Sequence, residues 1–379
     1  MDGYVAILLP AYLLALGYGT LEVGLISSAT LLGSALATLM VGTWGYRFQQ
    51  HQLLYAAALL MVATGLAFAG LSDFWPLLVI AFVGTLNPSS GDVSVFLPLE
   101  HARLANTAKG TKRTRLFARY SLTAALFGAL GALASGMPDG FAEWGIDRLY
   151  ALKFMFLLYA FAGIAVWRVY LRLPRPERDA MPVPAAPLRE SRNVVARLAG
   201  LFSIDAFAGG MMVQSLLALW LFQRFDLSLS AAGTFFFWSG LLSAASQLAA
   251  PWISARIGLL RTMVYTHIPS SLALIAAAFA TRLDIVLLLL LVRASLSQMD
   301  VPTRSAFVMA VVTPAERAAA SSYTVVTRNL ASALSPSLGG AMLAAGWLAA
   351  PLVACGMIKI VYDVALLRAF GNTEIDHEQ

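Results

Sequence analysis

Residues 173–197 read LPRPERDAMPVPAAPLRESRNVVAR, the only long polar segment in a chain of 379 residues. Proline and charged residues dominate this segment, which is the composition of a linker. Six apolar stretches precede it and six follow it, so it divides the chain into two comparable halves. We therefore expect residues 1–172 and 195–379 to form two bundles of six helices each. Residues 173–194 would be the cytoplasmic linker between the two bundles.

The composition of the chain indicates that much of its surface faces lipid. It is 59% hydrophobic and 12% charged, with a mean hydropathy of +0.74, whereas soluble domains carry roughly 25% charged residues. Stretches such as 53–70 and 234–253 approach the roughly 20 apolar residues that a helix needs to cross a bilayer. The alternation of polar and apolar residues typical of barrel strands is missing. The sequence predicts an all-α integral membrane protein, embedded in the lipid bilayer.

Twelve transmembrane helices fit the chain. They are placed at residues 2–18, 21–44, 52–70, 74–99, 114–135, 148–171, 195–222, 230–253, 261–281, 284–309, 317–344 and 347–370. The first is short, because a helix from Asp2 to Leu16 rises about 21 Å against a hydrocarbon core of about 30 Å. We expect helix 1 to be truncated, either because an N-terminal segment is missing or because the helix is short and tilted.

The basic residues predict the orientation of the chain. Most of the 26 Lys and Arg residues fall in the loops that lie on the same side as the N-terminus. Cytoplasmic loops carry such an excess, so we expect both termini in the cytoplasm and the protein in the cytoplasmic (inner) membrane. The pI of about 9.5 then reflects topology, and we expect no binding of nucleic acid.

Two short patterns repeat between the halves. Gly24 and Arg47 recur at one offset as Gly233 and Arg256, and each pair brackets a whole helix, with the arginine just past its cytoplasmic end. Repeats of six helices are the plan of one large class of transporters. The halves are therefore expected to be pseudo-symmetric.

The loop after the second helix carries a family resemblance. Residues 42–51, GTWGYRFQQH, follow the frame G-x-x-x-D-R-x-G-R-R, in which Gly42 and Arg47 match and Tyr46 replaces the acidic residue. Residues 335–340, SPSLGG, are similar to a second pattern, G-P-x-x-G-G. The chain thus resembles the major facilitator superfamily. The resemblance implies transport by alternating access, with Gly42, Arg47 and Arg256 in gating loops and Tyr46 where the family has a latching acid.

Charged residues inside the helices are candidates for the path of a solute or proton, because a charge at mid-bilayer costs about 2.5–3.5 kcal/mol. In the fourth helix, Asp92 and Asn87 stand in a polar stretch that must line a cavity or another helix. In the tenth, Arg293 has no acid within helical reach, so it needs a partner across the bundle or an anionic substrate. We expect Asp92, Arg293 and Arg328 to face the space between the halves.

The remaining candidates have a structural alternative. Asp300 and Arg304 are four residues apart and can simply pair with each other, and Gln298 lies beside them. Arg328 is also deep and lacks a local acid, and Asp205, or Asp2 by the repeat, is its natural counter-charge. We interpret Lys359 and Asp363, also four apart, as a structural pair, and Glu100 as part of a solvated helix end.

These features favour a secondary carrier that moves a small solute, coupled to protons, and we expect efflux of amphipathic or anionic compounds by a monomer. The alternatives are an uptake carrier of the same fold and a membrane sensor or scaffold that does not transport. A Walker A pattern, metal-ligand spacings and catalytic sets such as HExxH are missing. We therefore expect neither an enzyme nor a cofactor or metal site.

Overall fold

A computed structural model describes residues 2–44, 47–89, 96, 99–100, 111–172, 188–313 and 316–371. Helices dominate this part of the chain, and it contains no strand. The helices are α1 Asp2–Ala15, α2 Thr20–Trp44, α3 Gln50–Gly70, α4 Phe74–Val83, α5 Thr111–Ala134, α6 Met137–Glu143, α7 Arg148–Arg172, α8 Arg192–Met211, α9 Gln214–Phe225, α10 Leu229–Ile257, α11 Leu259–Phe279, α12 Leu283–Ser297, α13 Asp300–Val311, α14 Arg317–Ala344 and α15 Ala350–Phe370.

Long apolar helices with exposed hydrophobic side chains make this a multi-pass membrane fold. Within the described residues, eight helical segments are long and apolar enough to cross a bilayer, and α1 and α4 are shorter apolar helices. Large side chains such as Trp75 and Leu248 are 72% and 67% exposed, as expected of surfaces that face lipid. Each of the twelve predicted spans overlaps a described helix, but twelve crossings remain a prediction.

Two of the predicted spans are broken rather than continuous. The seventh consists of α8 and α9, which are separated by Met212 and Val213, and the tenth consists of α12 and α13, separated by Gln298 and Met299. A break leaves backbone groups that lipid cannot satisfy, so it must be buried in protein or line a polar space. At the first break, the Ser215 amide donates a hydrogen bond to the Pro88 carbonyl (3.1 Å).

The chain forms two compact units whose limits differ from the predicted halves. Unit 1 contains Met1–Pro182, Val213–Phe237 and Pro336–Ala344, and unit 2 contains Val183–Met212, Trp238–Ser335 and Ala345–Gln379. One limit coincides with the break between α8 and α9, and another with Pro336 inside α14. Most of the predicted linker, residues 173–187, lies outside the described residues, so the division into sequence halves stays a prediction.

In unit 1, the repeated glycines mark close helix contacts. A Cβ atom on Gly24 of α2 would lie 2.6 Å from the carbonyl oxygen of Pro336 in α14. A Cβ atom on Gly233 of α10 would lie 2.7 Å from the carbonyl oxygen of Ala132 in α5. Any larger residue would force these backbones apart, which explains why glycine occupies both repeat positions. Arg256 departs slightly from the expectation, because α10 continues to Ile257 and places it in the last turn.

In unit 2, α11 occupies the centre. It packs against α12, α13 and α15, and α15 packs in turn against α8. Their shared core consists of buried apolar side chains, among them Phe202, Met263, Phe307, Tyr362 and Leu366. This core holds α8, α11, α13 and α15 side by side, and a group of charged side chains lies next to it.

Candidate functional site

Six ionisable side chains of unit 2 come together within the bundle. They are contributed by four helices, and we call them the buried ion cluster: Asp205, His267, Asp300, Arg304, Lys359 and Asp363. Three were candidates from the sequence, Asp205, Asp300 and Arg304. Their assembly in one place requires the packing of α8, α11, α13 and α15, which no local pattern encodes.

Asp205 of α8 is the hub of the cluster. Its Oδ1 accepts a hydrogen bond from Lys359 Nζ at 2.6 Å, and its Oδ2 lies 3.5 Å from Arg304 Nη1. The Asp205 side chain is only 6% exposed. A carboxylate removed from water to this degree needs opposite charge close by, and Lys359 and Arg304 supply it.

The pairing predicted between Asp300 and Arg304 is present. Arg304 Nη1 donates to Asp300 Oδ2 at 2.8 Å, and the two residues are four apart on α13. Arg304 therefore bridges Asp300 and Asp205, so the local pair is also the link between α13 and α8.

His267 of α11 completes the cluster and was not predicted. Its Nδ1 lies 3.0 Å and 3.1 Å from the two oxygens of Asp363, and its Nε2 lies 3.3 Å from Lys359 Nζ. The predicted pair of Lys359 with Asp363 is wrong, because no ion pair joins them among the described residues. Partners on α8 and α11 bind the two side chains separately.

The charges of the cluster do not balance when His267 is neutral. Three carboxylates face two permanent cations, Lys359 and Arg304, so the net charge is negative. One proton on the imidazole makes the cluster neutral. The arrangement is therefore able to take up one proton at a site that is almost completely removed from water.

Arg293 of α12 lies apart from these ion pairs. Its side chain is half-buried, and in the described part of unit 2 its guanidinium has no hydrogen bond or ion pair. Its backbone carbonyl accepts a hydrogen bond from Ser270 Oγ (3.3 Å). Gln298 lies in the break that follows α12 and accepts a weak hydrogen bond from Gln247 (3.5 Å).

The predicted counter-charge for Arg328, which lies on α14, was Asp205. Within the described residues the cations at ion-pair distance from Asp205 are Lys359, Arg304 and, when protonated, His267. Among the described residues, Asp205 thus forms its ion pairs with Lys359 and Arg304, whereas the predicted counter-charge role was for Arg328.

Unit 1 has a second, smaller polar group. Asn87 is buried, and its Nδ2 donates to Asp2 Oδ2 at 3.2 Å, while its Oδ1 accepts hydrogen bonds from the Ser89 amide and hydroxyl at 2.9 and 2.7 Å. The structure thus joins two of the predicted residues, Asp2 and Asn87. Asp92 lies outside the described residues, so its role stays a prediction.

Glu100 is more than a solvated helix end. Its two oxygens accept hydrogen bonds from the hydroxyl groups of Tyr120 and Tyr170. No local pattern predicts this contact, because both tyrosines lie on later helices. Of the predicted gating residues, Arg47 is exposed and Gly42 lies in the last turns of α2. The guanidinium of Arg256 stacks on the Trp252 ring at 3.9 Å.

The fold and its intramembrane charges are those of a polytopic transporter, and comparison with known proteins agrees. The sequence model of the Major Facilitator Superfamily matches residues 1–297. The chain belongs to this superfamily. It thus has the fold of a transporter and not of an enzyme, as the sequence predicted.

Individual relatives are distant. The "Uncharacterized membrane protein YJR124C" of Saccharomyces cerevisiae is 24% identical, over 92% of this chain and 86% of the yeast protein. The crystal structure of a D-xylose-proton symporter is similar with a TM-score of 0.75, at 14% identity, over 96% of this chain and 94% of the symporter. The crystal structure of the nucleoside transporter NupG is similar with a TM-score of 0.74, at 12% identity, over 97% of this chain and 95% of NupG.

Proposed function

We propose that this protein is a proton-coupled secondary transporter that moves a small solute across the cytoplasmic membrane by alternating access. The observation that supports coupling to protons is the buried ion cluster. Four helices of unit 2 contribute charges to it, although each buried charge opposes the stability of a membrane bundle. Ionisable groups retained inside membrane proteins commonly form ion or proton pathways.

The chemistry of the cluster suits a proton better than a metal ion. In the described part of the chain, no group of three or more His, Cys, Asp and Glu side chains is arranged to hold a metal. The carboxylates of the cluster are instead engaged by the protein's own cations, Lys359 and Arg304. Its net negative charge with neutral His267 favours uptake of one more positive charge, and a proton needs no additional space. A D-xylose-proton symporter has the same fold, so this fold accommodates proton coupling.

The solute is proposed to be a small organic anion or amphipathic compound, and the direction to be efflux. Arg293 supports the class of solute, because its half-buried guanidinium has no acidic partner in the described part of unit 2. Arginine binds carboxylate, sulfonate or phosphate groups through two parallel hydrogen bonds. Uptake of the same class of solute is the alternative direction, and the sign of the measured gradient distinguishes the two.

A transport screen tests this proposal. Purified protein in proteoliposomes would be offered a panel of radiolabelled organic anions and their uncharged amides, with and without an imposed pH gradient. We expect the gradient to drive one or more anions, and Arg293→Ala to lower that transport at least tenfold while Arg293→Lys lowers it less. A panel on which the pH gradient has no effect would contradict proton coupling. Equal transport by Arg293→Ala and wild type would contradict the role of Arg293.

The matched control is the exposed pair Arg282 and Asp284. Their side chains are 72% and 64% exposed and are joined at 2.7 Å, so Asp284→Asn removes a carboxylate without touching the cluster. We expect this variant to transport like wild type, whereas Asp205→Asn loses the response to the pH gradient.

Orientation and assembly belong to the same proposal. Both termini are proposed to lie in the cytoplasm and the transporter to act as a monomer. A reporter enzyme that is active only in the cytoplasm, fused after Gln379, is expected to be active. Light scattering in detergent is expected to give the mass of one chain, 40.5 kDa, after subtraction of the micelle.

A further inference from the structure

The hydrogen bonds of His267 define its state in this structure. Lys359 Nζ lies 3.3 Å from the imidazole Nε2 and 2.6 Å from Asp205 Oδ1. An ammonium group only donates hydrogen bonds, so Nε2 must accept and carries no proton. Nδ1 lies between the two oxygens of Asp363 at 3.0 and 3.1 Å, so it must donate. The imidazole here is neutral, with its proton on Nδ1.

The geometry points to His267 as the proton-binding residue of the transporter, with Lys359 as the group that the bound proton displaces. This inference rests on the proposed function, and it names the residue that carries the proton. A proton from water adds to Nε2, and the hydrogen bond from Lys359 to Nε2 is lost. The new N–H faces Asp205 Oδ1, which already lies 3.7 Å away. Asp205 then exchanges an ammonium partner for an imidazolium partner, and release of the proton reverses the exchange.

The other charged groups around the imidazole stay paired during this exchange. Asp363 on α15 accepts the hydrogen bond from His267 Nδ1 whether the imidazole is neutral or protonated. The Tyr362 ring packs edge-on against the imidazole, with 6.1 Å between the two ring centroids. On α13, Arg304 keeps Asp300 at 2.8 Å. On α12, Arg293 makes no ion pair with the cluster among the described residues. Only Lys359 changes its partner, so the proton acts on one bond, the bond that ties α15 to α8.

The bond between Lys359 and Asp205 lies close to the end of α8. Asp205 lies less than two turns before the end of α8 at Met211, just before the break that separates α8 from α9. Lys359 also lies beside Gly209, close to the same helix end. The next residue, Gly210, leaves no space for a side chain, because a Cβ atom there would lie 2.1 Å from Ser335 Oγ. Release of Lys359 thus loosens α8 immediately before its break.

Nitrogen NMR of the wild-type protein tests the assignment directly. The chain has four histidines, so a sample labelled with ¹⁵N in the imidazole rings and at the lysine Nζ atoms gives imidazole signals that can be assigned with single His→Gln variants. At alkaline pH we expect His267 to be protonated on Nδ1 alone. When the sample is acidified, we expect both nitrogens of His267 to become protonated and the Lys359 ¹⁵Nζ signal to shift in the same samples. A proton on Nε2 at alkaline pH, or one unchanged state throughout, would overturn the inference.

Transport measurements separate this inference from the proposed function. For one proton per solute, a gradient of one pH unit sustains about a tenfold solute gradient. We expect His267→Gln to reduce this ratio to about one while it retains solute exchange between equal concentrations, which shows that the variant is folded. Asp284→Asn, in the exposed pair with Arg282, is the control and should keep the tenfold gradient. A full gradient in His267→Gln overturns the assignment alone, and no gradient in wild type overturns the proposed function as well.

Discussion

The bond between Lys359 and Asp205 gives the most quantitative prediction for the stability of unit 2. Lys359→Met removes the ammonium but keeps most of the side-chain volume. Asp205 is then left with Arg304 at 3.5 Å, which already binds Asp300 at 2.8 Å, and with neutral His267. Loss of one partner from a buried ion pair costs about 3–5 kcal/mol. Because Arg304 remains nearby, we expect about 3 kcal/mol.

A double-mutant cycle turns this estimate into a test. Asp205→Asn alone is expected to cost a similar amount, since it leaves Lys359 buried with only His267. In the double variant neither charge is left alone, so its cost should not exceed that of the more damaging single variant. The resulting coupling is about 2–3 kcal/mol, at the upper end for residues in contact.

Unfolding by sodium dodecyl sulfate in mixed micelles, followed by tryptophan fluorescence, supplies the free energies. The pair Arg282 and Asp284 is again the control, because water screens their charges at 72% and 64% exposure and their coupling should be much smaller. Additive effects of Lys359→Met and Asp205→Asn would refute the reasoning. They would mean that the two charges do not depend on each other within the bundle.

Two further predictions concern other contacts. The Glu316 carboxylate accepts hydrogen bonds from the amides of residues 189–191 at 2.7–3.0 Å, just before α8, and these bonds lower the pKa of Glu316 from its ordinary 4.5. The stabilisation of the fold by these hydrogen bonds is present above pH 4.5 and is lost as the pH falls through the lowered pKa of Glu316. Glu316→Gln should therefore remove this acid-dependent part of the unfolding free energy. A pH profile of stability equal to that of wild type would contradict the prediction. Gly33→Ala should cost at least about 1–3 kcal/mol, because its Cβ would lie 1.6 Å from the Phe82 carbonyl oxygen. Gly200→Ala, with open space at its Cβ, should be neutral or stabilising in the same unfolding assay, and equal effects of both substitutions would argue against that helix contact.

The sequence predicted the positions of the helices because the signal is local. A run of apolar residues of spanning length is visible in any window, and the predicted limits 317–344 and 148–171 agree with α14 and α7 within a residue. The breaks at residues 212–213 and 298–299 were not predicted. Hydropathy measures how apolar a stretch is and not whether its helical hydrogen bonds continue, so it does not register either interruption.

In the candidate site too, contacts within one helix were predictable and contacts between helices were not. The pair of Asp300 and Arg304 was predictable, since four residues along a helix bring two side chains to one face. That rule failed for Lys359 and Asp363, because their partners come from α8 and α11. His267 has no acidic residue near it in the sequence of α11, so no local pattern marked it. Its partner Asp363 is brought to it by the packing of α11 against α15.

The measurement that tests the central claim most directly is the proton flux that accompanies transport. Wild-type protein would be reconstituted into liposomes containing a pH-sensitive dye, without any imposed pH gradient, and given a concentration gradient of a solute found in the screen. The account predicts that solute movement changes the internal pH in wild type and in Asp284→Asn. In Asp205→Asn and His267→Gln the solute should move without a change in pH. A change of pH in these two variants equal to that of wild type, or solute movement in wild type without any proton movement, would contradict it.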